Sequence, residues 1–187
     1  MSSLTEQARR LKLRLVAIIE TARIDDPLRL ARSLPAGSWV ILRNYASSDR
    51  SVLAKRLREI CRKKRMTLLI AGDRALAEKC GAGLHLPEYQ GFRQLLRRRR
   101  PLTVAAHGRM ALVRAARLGA DAALLSPVFP TASHPGARPL GLIALRRLAR
   151  QAKLPVIALG GVTAQRMKAL KTAKLAGIAA IGGLTAR

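Results

Sequence analysis

A single (β/α)8 TIM barrel is the fold class that this 187-residue sequence predicts, and three observations carry the prediction. Eight short apolar runs recur along the chain, stretches of helical period separate them, and several runs are apolar on every side rather than alternating. Runs of that kind read as parallel strands covered on both faces. Strand, helix and strand joined by connections this short make right-handed parallel crossovers, and eight of them are the count that closes a barrel. An open doubly wound sheet with fewer strands is the competing architecture.

The strands are expected at 15–19, 39–42, 67–70, 83–85, 102–104, 122–125, 156–159 and 178–181. Helices are expected between them at 27–33, 51–64, 74–79, 89–98, 108–117, 142–152 and 164–173. Asp26 before Pro27 is an N-cap followed by proline at the first helical position, and Gly81 and Gly119 stand where a left-handed residue stops a helix. The phrases KCGAGLHL, RLGADAALL and KLAGIAAI repeat one helix-stop, strand-start design. Six residues follow Ile181, which predicts a barrel lacking a C-terminal eighth helix, with residues 3–13 covering the gap.

With 49% hydrophobic residues, the chain is long enough for one domain, 1–187, with a large core. No apolar run approaches the roughly 20 residues of a membrane span. The start, MSSLTEQARRLKLR, lacks the apolar stretch of a secretion signal, so a cytoplasmic protein is expected. Cys61 and Cys80 are not spaced as a metal or redox pair and read as small packing residues. The 36 Lys and Arg against 10 Asp and Glu leave a formal charge of +26. That field favours phosphate-bearing ligands, nucleic acid or another polyanion; the excess itself reads first as Arg-rich helices that coat a barrel, with a polyanion-binding patch as the competing reading. The run Arg97 to Arg100 reads as a solvated helix end. No aromatic residues interleave with basic ones as single-strand platforms require. A homo-oligomer is compatible with everything above. After Glu88 the sole acid is Asp121, so carboxylate chemistry is excluded from the last third.

Barrel sites form at the carboxyl ends of strands, and phosphate is commonly held by backbone amides after the seventh and eighth. Gly160-Gly161 and Gly182-Gly183 stand at those two places, where the missing Cβ lets an anion approach N–H groups closely. Paired glycines also make ordinary tight turns. The loop 126–136 is long, rich in hydroxyls and stiffened by Pro127, Pro130 and Pro135, which suits folding over a ligand.

The series LTVAAH, GADAALLSPVFPTASHPGARPLG, LPVIALGGVT and GIAAIGG resembles the thiamine phosphate synthase and TenI-type thiazole tautomerase family of single-domain barrels. The likeness is strongest from Leu102 to Gly183. Shorter matches, ILR at 41–43, GDR at 72–74 and GLHLPE at 83–88, extend it over most of the chain. The resemblance implies a synthase that joins a pyrimidine diphosphate to a thiazole phosphate, with magnesium steadying the departing pyrophosphate. By position, Arg43 matches a pyrophosphate-binding arginine and Asp73 a magnesium carboxylate, with Glu88 the nearby acidic candidate. Thr131, Ser133 and His134 fall in the PVFPT loop that binds substrate. Gly160, Gly161, Ile181, Gly182 and Gly183 fall at the thiazole-phosphate turns. Departures from the family pattern are Ile41 for Gln, Tyr45 for Lys, Gly72 for Asn, Gln90 near an Asp, Ala105 for Ser and His134 for Lys.

His107, just after the fifth strand, matches a histidine used for proton transfer in the tautomerase branch. It and Ser133 are the catalytic candidates; hydrogen bonding at the barrel end is the competing role for His107. His85 reads as structural, and Glu20 as either a pocket residue or a loop cap. Three functions stand open: the synthase, a TenI-like tautomerase, and a non-catalytic basic barrel that binds an anionic partner.

Overall fold

A computed structural model of the chain describes residues 3–43, 45, 49–90, 100–131, 136, 138–181 and 184. Its strands are β1 (Arg14–Ile19), β2 (Trp39–Leu42), β3 (Thr67–Ala71), β4 (Gly83–Leu86), β5 (Leu102–Ala106), β6 (Ala122–Leu125), β7 (Val156–Leu159) and β8 (Gly177–Ile181). They form one closed parallel barrel in chain order, and β8 returns to β1 with Arg14 opposite Gly177 and Ile18 opposite Ile181. Closure excludes the open doubly wound sheet and leaves no strand edge unpaired.

The all-apolar runs are explained by two packed surfaces. Val16, Ile18, Ile41, Leu69, Leu124, Ile157 and Ala179 pack with Trp39 in one buried cluster, while their neighbours in sequence, such as Ala17, Val40, Leu68 and Ala158, join the larger core that includes the helices' buried faces. Trp39 carries the Arg14 guanidinium 4.5 Å from its ring centroid. A strand buried on both faces has no use for alternation.

Helices α1 (Leu4–Arg10), α2 (Pro27–Ser33), α3 (Arg50–Lys63), α4 (Arg74–Lys79), α5 (Arg109–Arg117), α6 (Gly141–Gln151) and α7 (Met167–Leu170), with one 3-10 turn at Thr21–Arg23, complete the described elements. Ser3 and Glu6 cap α1 reciprocally: the Ser3 hydroxyl accepts from the Glu6 N–H at 3.2 Å, and the Glu6 carboxylate accepts from the Ser3 N–H at 3.0 Å. Asp26 caps α2, accepting from the Leu28 and Arg29 amides at 3.1 and 2.8 Å. Gly81 and Gly119 end α4 and α5 with φ of +58° and +64°. Helix α1 packs on β1 and α7, the flank that residues 3–13 were expected to cover.

One helix differs from expectation. The stretch 164–173 keeps only Met167–Leu170 as α-helix, because Arg166, Met167 and Ala169 donate to the carbonyls three residues back, not four. Residues 91–99, most of the expected helix 89–98, lie outside the described residues, as do 182–183 and 185–187 beyond β8. No helix among the described residues is long and apolar enough to cross a membrane. Cys61 is buried in the core and Cys80 is half-buried, and both are free thiols.

Candidate functional site at the barrel mouth

Parallel closure brings every strand's carboxyl end to one rim, and a cavity of about 500 Å³ opens there. Arg43 after β2, Glu88 after β4, His107 after β5, Thr131 after β6, Gly160 and Gly161 after β7, and Ile181 at the end of β8 all line it. Seven candidates scattered over 139 positions thus share one space. Asp73 does not line it. Ser133, His134, Gly182 and Gly183 lie outside the described residues.

The β7 turn is pinned on its carbonyl side. Val128 N–H donates to the Leu159 carbonyl at 2.9 Å, Phe129 N–H to the Gly160 carbonyl at 3.1 Å, and the Arg166 guanidinium to the Gly161 carbonyl at 2.8 Å. Gly161 has a φ of +61°, and a Cβ there would sit 2.5 Å from the Pro130 carbonyl oxygen, so both backbone shape and crowding demand glycine. By contrast, the amides of Gly161, Val162 and Thr163 have no acceptor among the described residues, and all three residues line the cavity. Consecutive unclaimed N–H groups at a turn are donors waiting for an anion.

Across the mouth, Glu88 holds His107. Its carboxylate accepts from the His107 backbone N–H at 3.0 Å and meets ring Nδ1 as well. Deeper in the barrel, the His85 Nδ1 lies 2.8 Å from the Thr103 hydroxyl. Burial, with the Arg43 charge adding to it, lowers the His85 pKa to about 4, so the ring is neutral near pH 7. Its structural reading therefore fits better than a proton-transfer role. Glu20 is not among the residues that line the cavity, and it is ion-paired to Arg23 at 3.2 Å and to Arg43 at 3.7 Å.

Three of the departures from the family pattern touch one another. Gly72, with φ +68°, makes room for the Tyr45 ring: a Cβ on Gly72 would sit 2.9 Å from Tyr45 Cε1. Gln90 donates from its side-chain amide to the Gly72 carbonyl at 3.3 Å. Arg50 lies 5.5 Å from the Tyr45 ring centroid, bonds the Ala71 carbonyl and pairs with Asp73 at 3.5 Å. Burial raises the Tyr45 phenol's pKa against the pull of Arg43 and Arg50. Arg50 was not singled out in the sequence, because nothing in its spacing shows that the start of α3 folds back over the end of β3.

The family model for thiamine monophosphate synthase matches residues 15–184, which run from β1 past the end of β8. The chain belongs to the thiamine monophosphate synthase family. A protein of Aquifex aeolicus provisionally named thiamine-phosphate synthase 2 is 37% identical over 149 residues, covering 76% of this chain and 80% of that protein. The thiamine-phosphate synthase of Lactococcus lactis is 29% identical over 144 residues, covering 74% and 67%. Among solved structures, the thiamine phosphate pyrophosphorylase of Pyrococcus furiosus superposes with a TM-score of 0.79 over 95% of this chain and 90% of that one, at 21% identity, which bears on the fold.

The magnesium implied by the family resemblance calls for several oxygen donors around one point. Here Asp73 spends one oxygen as the N-cap of α4, accepting from the Leu76 amide at 2.9 Å, and the other on Arg50. Glu88 is engaged by His107. Among the described residues, no three His, Cys, Asp or Glu side chains gather in a way that could hold a metal ion. These residues do not fit a protein-held magnesium.

Proposed function

We propose that this chain acts in thiamine biosynthesis as a thiamine phosphate synthase, joining a pyrimidine diphosphate to a thiazole phosphate at the barrel mouth. The observation that carries this reading is the Gly161–Thr163 row of unclaimed amides in a cavity shared with Arg43, in a chain matched by the synthase family over residues 15–184. The amides take the thiazole phosphate. Arg43 faces the leaving pyrophosphate, and Thr131 adds a hydroxyl at the same rim. In the step itself, the bond to pyrophosphate breaks with its electron pair leaving on oxygen, and a thiazole nitrogen lone pair closes the new C–N bond. The chain's part is to hold the two rings within reach, which alone removes much of the entropic barrier. The purified protein given both substrates should form thiamine phosphate above a protein-free control. Absence of product over a wide range of protein and magnesium concentrations would rule the reaction out.

The Glu88–His107 pair favours a second reading. A histidine ring fixed through Nδ1 leaves Nε2 for proton transfer to a ligand in the cavity, as a TenI-like tautomerase requires. Replacement of His107 by Asn should abolish isomerisation of a thiazole phosphate under this reading, and an unchanged rate would remove it.

A further inference from the structure

The chain has two tyrosines in 187 residues, and both line the mouth cavity. Tyr45 is 54% exposed and Tyr89 84% exposed, the latter among the most exposed large side chains described. In a chain with 3% aromatic residues, two rings thus stand at the rim of the same cavity with faces open to a ligand that enters it. Tyr45 is also braced. Arg50 lies over its ring and Gly72 gives the ring its seat, so its orientation is fixed before any ligand arrives. Tyr45 and Tyr89 follow β2 and β4, while the unclaimed amides follow β7, so a ligand with its anion at the amides extends toward the tyrosines.

We propose that Tyr45 and Tyr89 form an aromatic wall that stacks the planar nitrogen heterocycle of a ligand whose phosphate is held by the Gly161–Thr163 amides. The ligand class is a phosphorylated planar heterocycle. This deepens the proposed function and rests on it for the position of the phosphate, while the stacking itself depends on the two rings alone. An exposed ring face takes a planar heterocycle by dispersion and offset stacking, and a braced ring loses little rotamer entropy when it does so. Because the Tyr45 phenol stays protonated at neutral pH, the wall adds no negative charge beside the phosphate.

Calorimetric titration of the full chain with two probes, thiamine phosphate and glycerol phosphate, tests the wall. Both rings lie at the surface, so Tyr45→Ala and Tyr89→Ala should keep the fold, which circular dichroism verifies. Each substitution should weaken thiamine phosphate at least about fivefold, in line with stacking losses on removing an aromatic ring, and leave glycerol phosphate within twofold. Tyr45→Phe and Tyr89→Phe should restore thiamine phosphate affinity, since the ring and not the hydroxyl carries the contact. Unchanged thiamine phosphate affinity in both alanine variants, or equal losses for both probes, would overturn the proposal. The phosphate position is read separately from the amide resonances of Gly161, Val162 and Thr163 on adding glycerol phosphate. If those stay still while the tyrosine dependence persists, the wall stands and the phosphate assignment fails; if they move and the tyrosines are silent, the reverse holds.

Discussion

Glu88 grips His107 at two points, the backbone N–H at 3.0 Å and the ring Nδ1, and so fixes one residue after β5 from the end of β4. Both contacts go to the same carboxylate oxygen.

Removing that oxygen leaves a backbone donor without its acceptor and frees the ring. Glu88→Ala should cost about 0.5–1.5 kcal/mol of stability, the net range for an intramolecular hydrogen bond, measured by urea unfolding. Glu88→Gln keeps an acceptor oxygen for the amide and should recover part of it. Equal stability of all three proteins would show that the grip contributes nothing.

His85 makes stability depend on pH. Its pKa falls from the usual 6.5 in the unfolded chain to about 4 in the fold, so between those values the unfolded chain binds the extra proton. Stability contributed by the neutral ring is then fully present above pH 6.5 and is lost as pH falls toward 4, at about 1.4 kcal/mol per pH unit. Urea midpoints of the native chain should fall more steeply over that window than those of His85→Gln. Parallel slopes would mean that the buried ring does not titrate as described.

Gly161 tolerates no side chain without movement. Gly161→Ala places a Cβ against the Pro130 carbonyl and holds a non-glycine residue at φ +61°, a combination that should cost about 1–3 kcal/mol. The melting temperature should fall, and inorganic phosphate should protect the variant less than the native chain. Gly136, with open space where a Cβ would go, is the control. A loss at position 136 as large as at 161 would contradict the crowding argument.

The thiols should separate by reactivity. Cys61 is fully buried in the core and burial raises its pKa to about 11, whereas Cys80 is half-buried. A thiol reagent at pH 8 should titrate one cysteine under native conditions and both in denaturant, and Cys80→Ser should remove the fast one. Two fast thiols in the native protein would contradict the burial of Cys61.

The barrel was legible because its signals are local: apolar runs, Asp26–Pro27, and the glycines at 81 and 119 each need only a few neighbours in sequence. The shortening of α7 was not, since periodicity at 164–173 does not distinguish four-residue from three-residue hydrogen bonds. At the site, Arg43, Glu88, His107, Thr131, Gly161 and Ile181, named from strand ends and from the family resemblance, line one cavity. Asp73 shows the limit. An aspartate opening a helix is an N-cap signal as well as a metal-ligand signal, and the two are separated only by Arg50, which arrives from a different helix. The Tyr45, Gly72 and Gln90 contacts join the ends of three strands, so the sequence showed three substitutions and not that they interlock.

Crystals soaked with thiamine phosphate offer the most direct test of where this barrel binds its ligand. Phosphoryl density within hydrogen-bond reach of the Gly161, Val162 and Thr163 amides is the expected result. Density seated instead among the arginines of the outer helices, with the β7 turn left bare, would contradict the assignment.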